Sequence, residues 1–446
     1  MTMKRIVVFG AGMVARPHIR YLLDQPNYFV TVATRTVSKA ERIIAGHERG
    51  KAVRVTIDED EKLRELIREA DIAVSLFPPA YHPKIAKICI EERTHLVTTS
   101  YVSDAMRELD EAAQKADIIL LNELGLDPGI DHMSAKRVID KVHAEGGKVL
   151  GFSSFCGALP APEANNNPFG YKFSWSPRGV LLASRNSARF MKDGEVIDVP
   201  GEELFAHYNF KYIEGFGWLE NYPNRNSLPY IDLYGIPEAK TMYRGTLRHI
   251  GWSETMKRIA DLHLLDITEK DLSKTTYKEL IAGIVGAKPS DDIVKAVADY
   301  LGTEPYSTVV RKLEWLGLFS DKVIGLEKGS NLDALVKLML EKLQYAPGER
   351  DMDIMQHDFL IQNPDGSCKE LISTLIDFGI PNGDTSVART VGLPAAIGVK
   401  LILEGKITLR GVQIPVHPEI YEPIMDELEE LGIKFKEVER EVACPS

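Results

Sequence analysis

The stretch Asn122–His132, NELGLDPGIDH, gathers Asp127, Asp131 and His132 within six residues around Pro128 and Gly129. Side chains of these types could hold a metal, pass protons as an acid–base pair, or fix a turn. A metal fits worst. Asp131 and His132 are adjacent and point apart on a helix, Asp127 and Asp131 are four apart, and no further ligand cluster accompanies them. Turn chemistry fits better. Asp127 suits a helix N-cap and Pro128 the first helical position; Ile130, Met133, Val138, Ile139 and Val142 then form an apolar face, and Gly146 and Gly147 stop the helix. Asp127 is thus expected where a strand ends and a helix begins, either as a cap alone or as a cap that also meets an amine-bearing substrate. Asp131 reads as a first-turn carboxylate at the positive dipole end, and His132 as a structural side chain bonded to neighbouring loops.

The elements that position this stretch form a regular rhythm. Strand-like runs cover 5–10, 29–35, 52–57, 71–77, 95–100 and 117–123, separated mostly by helix-like segments. One such segment, 103–116, starts on a Ser103 cap and carries Met106, Leu109, Ala112 and Ala113 on one face. Continuous β-branched runs alternating with helices predict a parallel sheet covered on both sides, a doubly wound, Rossmann-like domain. Beyond about residue 150 the rhythm changes. Residues 150–260 are rich in aromatics, Pro, Asn and Gly and read as long binding loops, 265–345 as helices, 352–380 as strands, and the tail as a helix ending near Gly405.

The first strand runs into Gly10-Ala11-Gly12-Met13-Val14-Ala15, a G-x-G-x-x-A loop that opens a helix. Gly10 permits the turn, Gly12 lets backbone approach a pyrophosphate, Ala15 allows close packing, and the helix N-terminus faces the anion. The second strand ends at Arg35 with no acidic residue for ribose hydroxyls. A guanidinium there pairs with a 2′-phosphate, which favours NADP, or is an ordinary surface charge.

A formal net charge of -11 argues against a broad nucleic-acid or anionic-membrane surface. Cys89, Cys156, Cys368 and Cys444 lack CxxC spacing, so neither a zinc site nor a disulfide framework is expected, and a reduced, cytoplasmic setting fits. The beginning MTMKRIVVFG shows no leader, and no apolar run reads as long enough to span a membrane.

The strings LGLDPGIDHM, TTSYVSDAMRELD, CGALPAPE, NPFGYKFSWSPRGVLLASRN, YPNR, RGTLR and GERDMDIMQHDF, in this order over nearly the whole chain, resemble the NADP-dependent, L-glutamate-forming saccharopine dehydrogenases, also called saccharopine reductases. Departures are small, such as GAGMV where the family often has GSGFV. The resemblance implies a Rossmann-like domain (1–126 with 394–446), a mixed α/β domain for substrate and dimer contact (127–264 with 346–393) and a helical insert (265–345). It implies a homodimer and reduction by NADPH of the imine of 2-aminoadipate 6-semialdehyde and glutamate, a reversible step of lysine metabolism. Cofactor contacts carry over to Gly12, Met13, Val14, Ala15, Ala33, Thr34, Arg35, Phe77, Thr99, Ser100, Leu126, Pro128 and Ser176. Substrate contacts carry over to Ser100, Tyr101, Asp127, Arg225, Thr246, Leu247 and Arg248, with Cys156 a weaker candidate near the pocket. Arginines suit the three carboxylates of saccharopine, Asp127 offsets the amine or iminium, and Tyr101 orients or relays a proton. The competing readings are an imine reductase of polyamine metabolism, of the carboxynorspermidine type, and a non-catalytic nucleotide sensor on the same fold.

Overall fold

Short β-branched strands followed by a chain reversal set the first half. In the computed structural model, which describes residues 3–445, β1 (Lys4–Phe9), β2 (Tyr28–Thr34), β3 (Gly50–Arg54), β4 (Ile72–Ser75), β5 (His95–Thr98) and β6 (Ile119–Leu121) lie in one sheet. A late strand, Gly411–Gln413, joins beside β6, and the order is Gly411–Gln413, β6, β5, β4, β1, β2, β3, all parallel. The winding reverses between β1 and β4, so a crevice opens at their carboxyl ends. Gly10 sits there with φ 116°, and a Cβ would lie 3.1 Å from the Leu76 carbonyl oxygen at the exit of β4. Only glycine meets both conditions.

The tail helix, Ser386–Leu403, clasps the glycine-loop helix, Ala15–Asp24. Gly392 lets it approach: a Cβ there would come 3.0 Å from the Val14 carbonyl oxygen. Contrary to the sequence reading, this helix is long and apolar enough by itself to cross a membrane. Its apolar residues are instead buried in a core shared with Ile6, Val8, Ile19 and Leu22. The segment 103–116 is capped by Ser103 as expected, but it forms two short helices, Asp104–Arg107 and Asp110–Lys115, and leaves Ala112 exposed.

The second sheet has nine strands and runs through the region read as loops. Its path is Asn209–Ile213, Gly217–Pro223, Thr241–Arg248, β7 (Lys148–Pro160), Asp351–Gln362, Cys368–Phe378 and Lys436–Val442. The strand Thr241–Arg248 runs parallel to β7, and the other pairs along this path are antiparallel. Aromatic and polar alternation replaces the apolar runs of the first sheet, because one face lines a cleft rather than a core. Lys436–Val442 pairs with Cys368–Phe378, so the last residues of the stretch expected in the nucleotide domain belong to the second sheet. A disulfide joins Cys368 to Cys444. Spacing of 76 residues hid it, since pairing of the two strands alone brings the cysteines together.

The stretch read as a helical insert carries four helices, Tyr277–Val285, Ile293–Leu301, Thr308–Leu316 and Asn331–Lys342, but also a small antiparallel sheet of Lys270–Leu272 and Leu326–Gly329. Local chemistry explains the helices. Thr276 and Ser330 form capping boxes, Asp292 and Ser307 cap the other two, and Gly286, Gly302 and Gly317 end the first three in the left-handed conformation. Their core includes Tyr171, Phe173 and Trp252, which ties this region to the rim of the cleft.

Candidate active site

A cavity of about 470 Å³ lies between the crevice and the face of the second sheet. Gly12, Met13, Val14, Leu76, Thr99 and Leu126 form one wall. Cys156, Ala158, Thr246, Arg248 and Arg225 form the other, with Trp175, Ser176 and Val180 closing one side. Residues from six expected cofactor positions (Gly12, Met13, Val14, Thr99, Leu126, Ser176) therefore meet Tyr101, Asp127, Arg225, Thr246 and Arg248 in one space.

Sheet register explains the substrate wall. Thr246 pairs with Cys156 and Cys156 with Met355, so the odd–even phase that brings Thr246 to the cavity also brings Arg244 and Arg248 to that face. Leu247 points the other way and is fully buried with Phe155, Leu219 and Ile354. The expected Leu247 substrate contact is thus not a side-chain contact. Only its backbone remains, and its carbonyl accepts from Arg248 Nη1 at 2.7 Å.

Asp127 does not cap the helix. The helix begins at Ile130, with Gly129 before it at φ 144°, and the Asp127–Pro128 peptide is cis. The N–H groups of Ile130 and Asp131 donate to the Gly125 and Leu126 carbonyls at 2.8 and 3.1 Å. Backbone thus satisfies the helix start, and the Asp127 carboxylate is released toward the cavity. Its Oδ1 accepts from the Tyr101 hydroxyl at 2.5 Å and from Arg244 Nη2 at 2.6 Å. Arg244 also donates to Asp131 Oδ2 at 2.7 Å and to the hydroxyls of Tyr101 and Tyr230 at 2.9 and 3.0 Å. One guanidinium faces two carboxylates, so the group keeps a net negative charge. Sequence reading missed Arg244, although the period-two spacing of Arg244, Thr246 and Arg248 in a strand would have flagged it.

Behind this group His132 bonds Glu123 at 2.7 Å and the Tyr234 hydroxyl at 2.8 Å. Burial alone would lower the His132 imidazole, but Asp131 and Glu123 outweigh it and hold it above its ordinary value. Burial would raise Glu123, yet the His132 bond keeps it low. Asp131 accepts from the Gly129 N–H at 2.6 Å as well as from Arg244. Both residues are structural, as expected, and both are also charged partners of the site.

Burial pushes the Tyr101 hydroxyl well above its ordinary value against the opposing pull of Arg244, so it is a hydrogen-bond donor rather than a phenolate. Burial, then Asp127, pushes the Cys156 thiol well up, which leaves it lining the cavity without nucleophilic character. Arg248 is 6% exposed and has no ion-pair partner among the described residues. Its guanidinium stacks 5.0 Å over Tyr171 and 5.5 Å over Trp252. Arg225 is exposed, lies 5.0 Å over the Tyr101 ring and is likewise without an ion-pair partner among the described residues.

The remaining expected positions lie off the cavity wall. Ser100 bonds His82 at 2.9 Å, Phe77 packs on Phe9, and Pro128 is buried. Gly10, Ala15, Ala33 and Thr34 are buried backbone-side positions around the loop, and Arg35 is exposed just past β2, with no ion-pair partner among the described residues. The loop itself fits a dinucleotide: a Cβ on Gly12 would meet nothing within 4 Å, and the first turn of its helix carries no acidic residue to repel phosphate. Among the described residues no three metal-binding side chains gather.

A glycine-loop crevice facing a pocket of free guanidiniums and a buried anionic group defines a dinucleotide-dependent oxidoreductase acting on a small, carboxylate-rich, nitrogen-bearing substrate. Residues 6–121 match the saccharopine dehydrogenase NADP binding domain, and 125–433 match the saccharopine dehydrogenase C-terminal domain. The chain is 43% identical to the saccharopine dehydrogenase [NADP(+), L-glutamate-forming] of Pyricularia oryzae over 98% of this chain and 99% of that one. It is 37% identical over 97% of its length to the mitochondrial alpha-aminoadipic semialdehyde synthase of Bos taurus, and covers 48% of that longer protein. The apo structure of the L-Glu-forming saccharopine dehydrogenase from Saccharomyces cerevisiae superposes with a TM-score of 0.89 at 41% identity, covering 98% of this chain and 100% of that one. This chain belongs to the saccharopine dehydrogenase family.

Proposed function

We infer that the cleft reduces, with NADPH, the imine of L-2-aminoadipate 6-semialdehyde and L-glutamate to saccharopine, and runs the reverse oxidation, a step of lysine metabolism. The observation that carries this reading is charge placement. Two guanidiniums without carboxylate partners among the described residues, Arg225 and Arg248, flank an anionic Asp127 group in one cavity with the glycine loop. Arg225 and Arg248 hold substrate carboxylates, and a planar fork suits them better than an ammonium. Asp127 balances the cationic nitrogen, and Tyr101 and Asp127 fix where that nitrogen's hydrogen points. A nicotinamide held by the glycine loop would supply the hydride chemistry. Gly12, Met13 and Val14 would hold the pyrophosphate, and Arg35 the 2′-phosphate. The electron sink is already in the iminium, so orientation does most of what the protein must do. A diamine substrate would leave Arg225 and Arg248 without anions.

The test is oxidation of saccharopine by purified protein. Glutamate and the semialdehyde should appear with NADP and far more slowly with NAD; no turnover with either would sink the reading.

The same reading includes a homodimer. The free edge strand Asn209–Ile213 and its neighbour expose Phe210 (58%), Tyr212 (53%) and Trp218 (61%), an aromatic edge that solvent disfavours and a second copy would cover. Light scattering should give twice 49.8 kDa. A cytoplasmic location is also proposed, although the Cys368–Cys444 disulfide removes the cysteine argument for it, and fractionation with the enzyme activity as marker tests it.

A further inference from the structure

Arg244 is 2% exposed and is absent from the cavity wall, yet it touches both side chains placed at the reacting nitrogen. Its Nη2 lies 2.6 Å from Asp127 Oδ1 and 2.9 Å from the Tyr101 hydroxyl, and 2.7 Å from Asp131 Oδ2 behind them. Its Nη1 donates to Tyr230 at 3.0 Å, and the guanidinium stacks 4.5 Å over that ring. Burial works against its charge, but the oxygens of Tyr101, Asp127, Tyr230 and Asp131 outweigh it.

Two consequences follow from who donates. An arginine can only donate, and the two N–H groups of Nη2 face three oxygens, so at least one N–H is shared; the one toward Asp127 also meets a lone pair of the Tyr101 oxygen. The Tyr101 proton is then directed to Asp127, as the 2.5 Å contact requires. Asp127 Oδ1 thereby carries two donors, Tyr101 and Arg244, whereas Oδ2 has no protein partner among the described residues. Oδ2 is the oxygen left for the substrate. Arg244 itself cannot serve a substrate carboxylate, because two protein carboxylates already hold it.

We propose that Arg244, anchored by Asp131, is a positioning residue for the Asp127–Tyr101 pair, which turns the free Asp127 oxygen toward the substrate nitrogen and sets the hydroxyl's direction. It rests on the reading of Asp127 and Tyr101 given above. Arg244 acts through those two residues and not through contact with substrate or cofactor. A purely structural arginine tying loop to sheet would give a different pattern of coupling.

The experiment is a double-mutant cycle on saccharopine oxidation with Arg244→Lys and Asp127→Asn. Lysine keeps the charge and loses the fork. Arg244→Lys should lower kcat by about 30-fold and leave the KM for NADP within about twofold, with the loss shrinking to below about threefold in the Asp127→Asn background. If Arg244→Lys does not fold, as judged by NADP binding and thermal melting, Asp131→Asn takes its place. It keeps one acceptor oxygen, for the Gly129 N–H, and turns an amide NH2 toward Arg244 where the second carboxylate oxygen stood, so it should cost about fivefold in kcat, again only when Asp127 is intact. An equal loss in both backgrounds, or none in either, overturns the inference while leaving the site reading standing. Wild-type kinetics in Asp127→Asn alone overturns the site reading and the inference with it.

Discussion

The two walls of the cleft are built by different means. The cofactor wall is backbone: a glycine loop, a helix N-terminus and the ends of parallel strands, with neither Gly12, Met13 nor Val14 contributing a charge. The substrate wall is side chain, with Thr246 and Arg248 on the second sheet and Arg225 just past one of its strands, meeting Tyr101 and Asp127 from segments that follow β5 and β6 of the first. Dinucleotide phosphates need dipoles that approach closely, and consecutive residues can supply those. A substrate with carboxylates and a cationic nitrogen needs opposite charges a few ångströms apart. Consecutive residues cannot supply those without neutralising one another, so tertiary structure holds them apart.

The strongest way to break this comparison is Arg248→Ala. If Arg248 holds a carboxylate from its dry seat beside Tyr171 and Trp252, kcat/KM for saccharopine should fall about 100-fold, or about 3 kcal/mol. The NADP dissociation constant, measured by fluorescence titration, should hardly move. A matching loss of NADP affinity would mean that the walls are not separate.

Arg35→Ala probes the charged residue proposed for the cofactor side. It should weaken NADP binding by about 2 kcal/mol and leave NAD nearly unchanged. Equal kinetics with both cofactors in the unaltered protein would remove Arg35 from the site and make that wall backbone alone.

The smallest effect expected concerns the buried layer behind Asp127. His132 is held above 6.5 in the folded protein, so its contribution to stability is fully present below 6.5 and is lost as pH rises through the raised value. Glu123 is held below 4.5, so its contribution is present above 4.5 and is lost on further acidification. The pair therefore stabilises most near pH 5.5–6. Glu123→Gln removes the charge and leaves one acceptor oxygen for the two donors, His132 and the Val102 N–H, and should cost about 1 kcal/mol more there than at pH 9. Urea unfolding at both pH values measures it; an identical gap would mean an uncharged pair.

Much of the fold was legible locally. The strand–turn–helix around Gly10, the Ser103 cap and the alternating first half depend on neighbours within a few residues, so propensity and period expose them. The 150–260 region misled because strands lining a cleft carry mixed polar and aromatic residues and imitate loops. Leu126, Asp127, Arg225 and Arg248 were assigned to the site by resemblance, and the cavity gathers them.

By itself the sequence determined the glycine loop, the parallel rhythm, the helical region and the kinds of side chain available for charge. Tertiary structure alone decided how Asp127 is used, because the Gly125 and Leu126 carbonyls took over the cap that Asp127 was suited to make. It also decided that Leu247 faces the core, that Arg244 joins Asp127 across a separation of 117 residues, and that Cys368 meets Cys444. The physical reason is common to the last three. Sheet register and chain crossing set which face a side chain takes and which distant group it finds, and a one-residue change of register would reverse the first and lose the second.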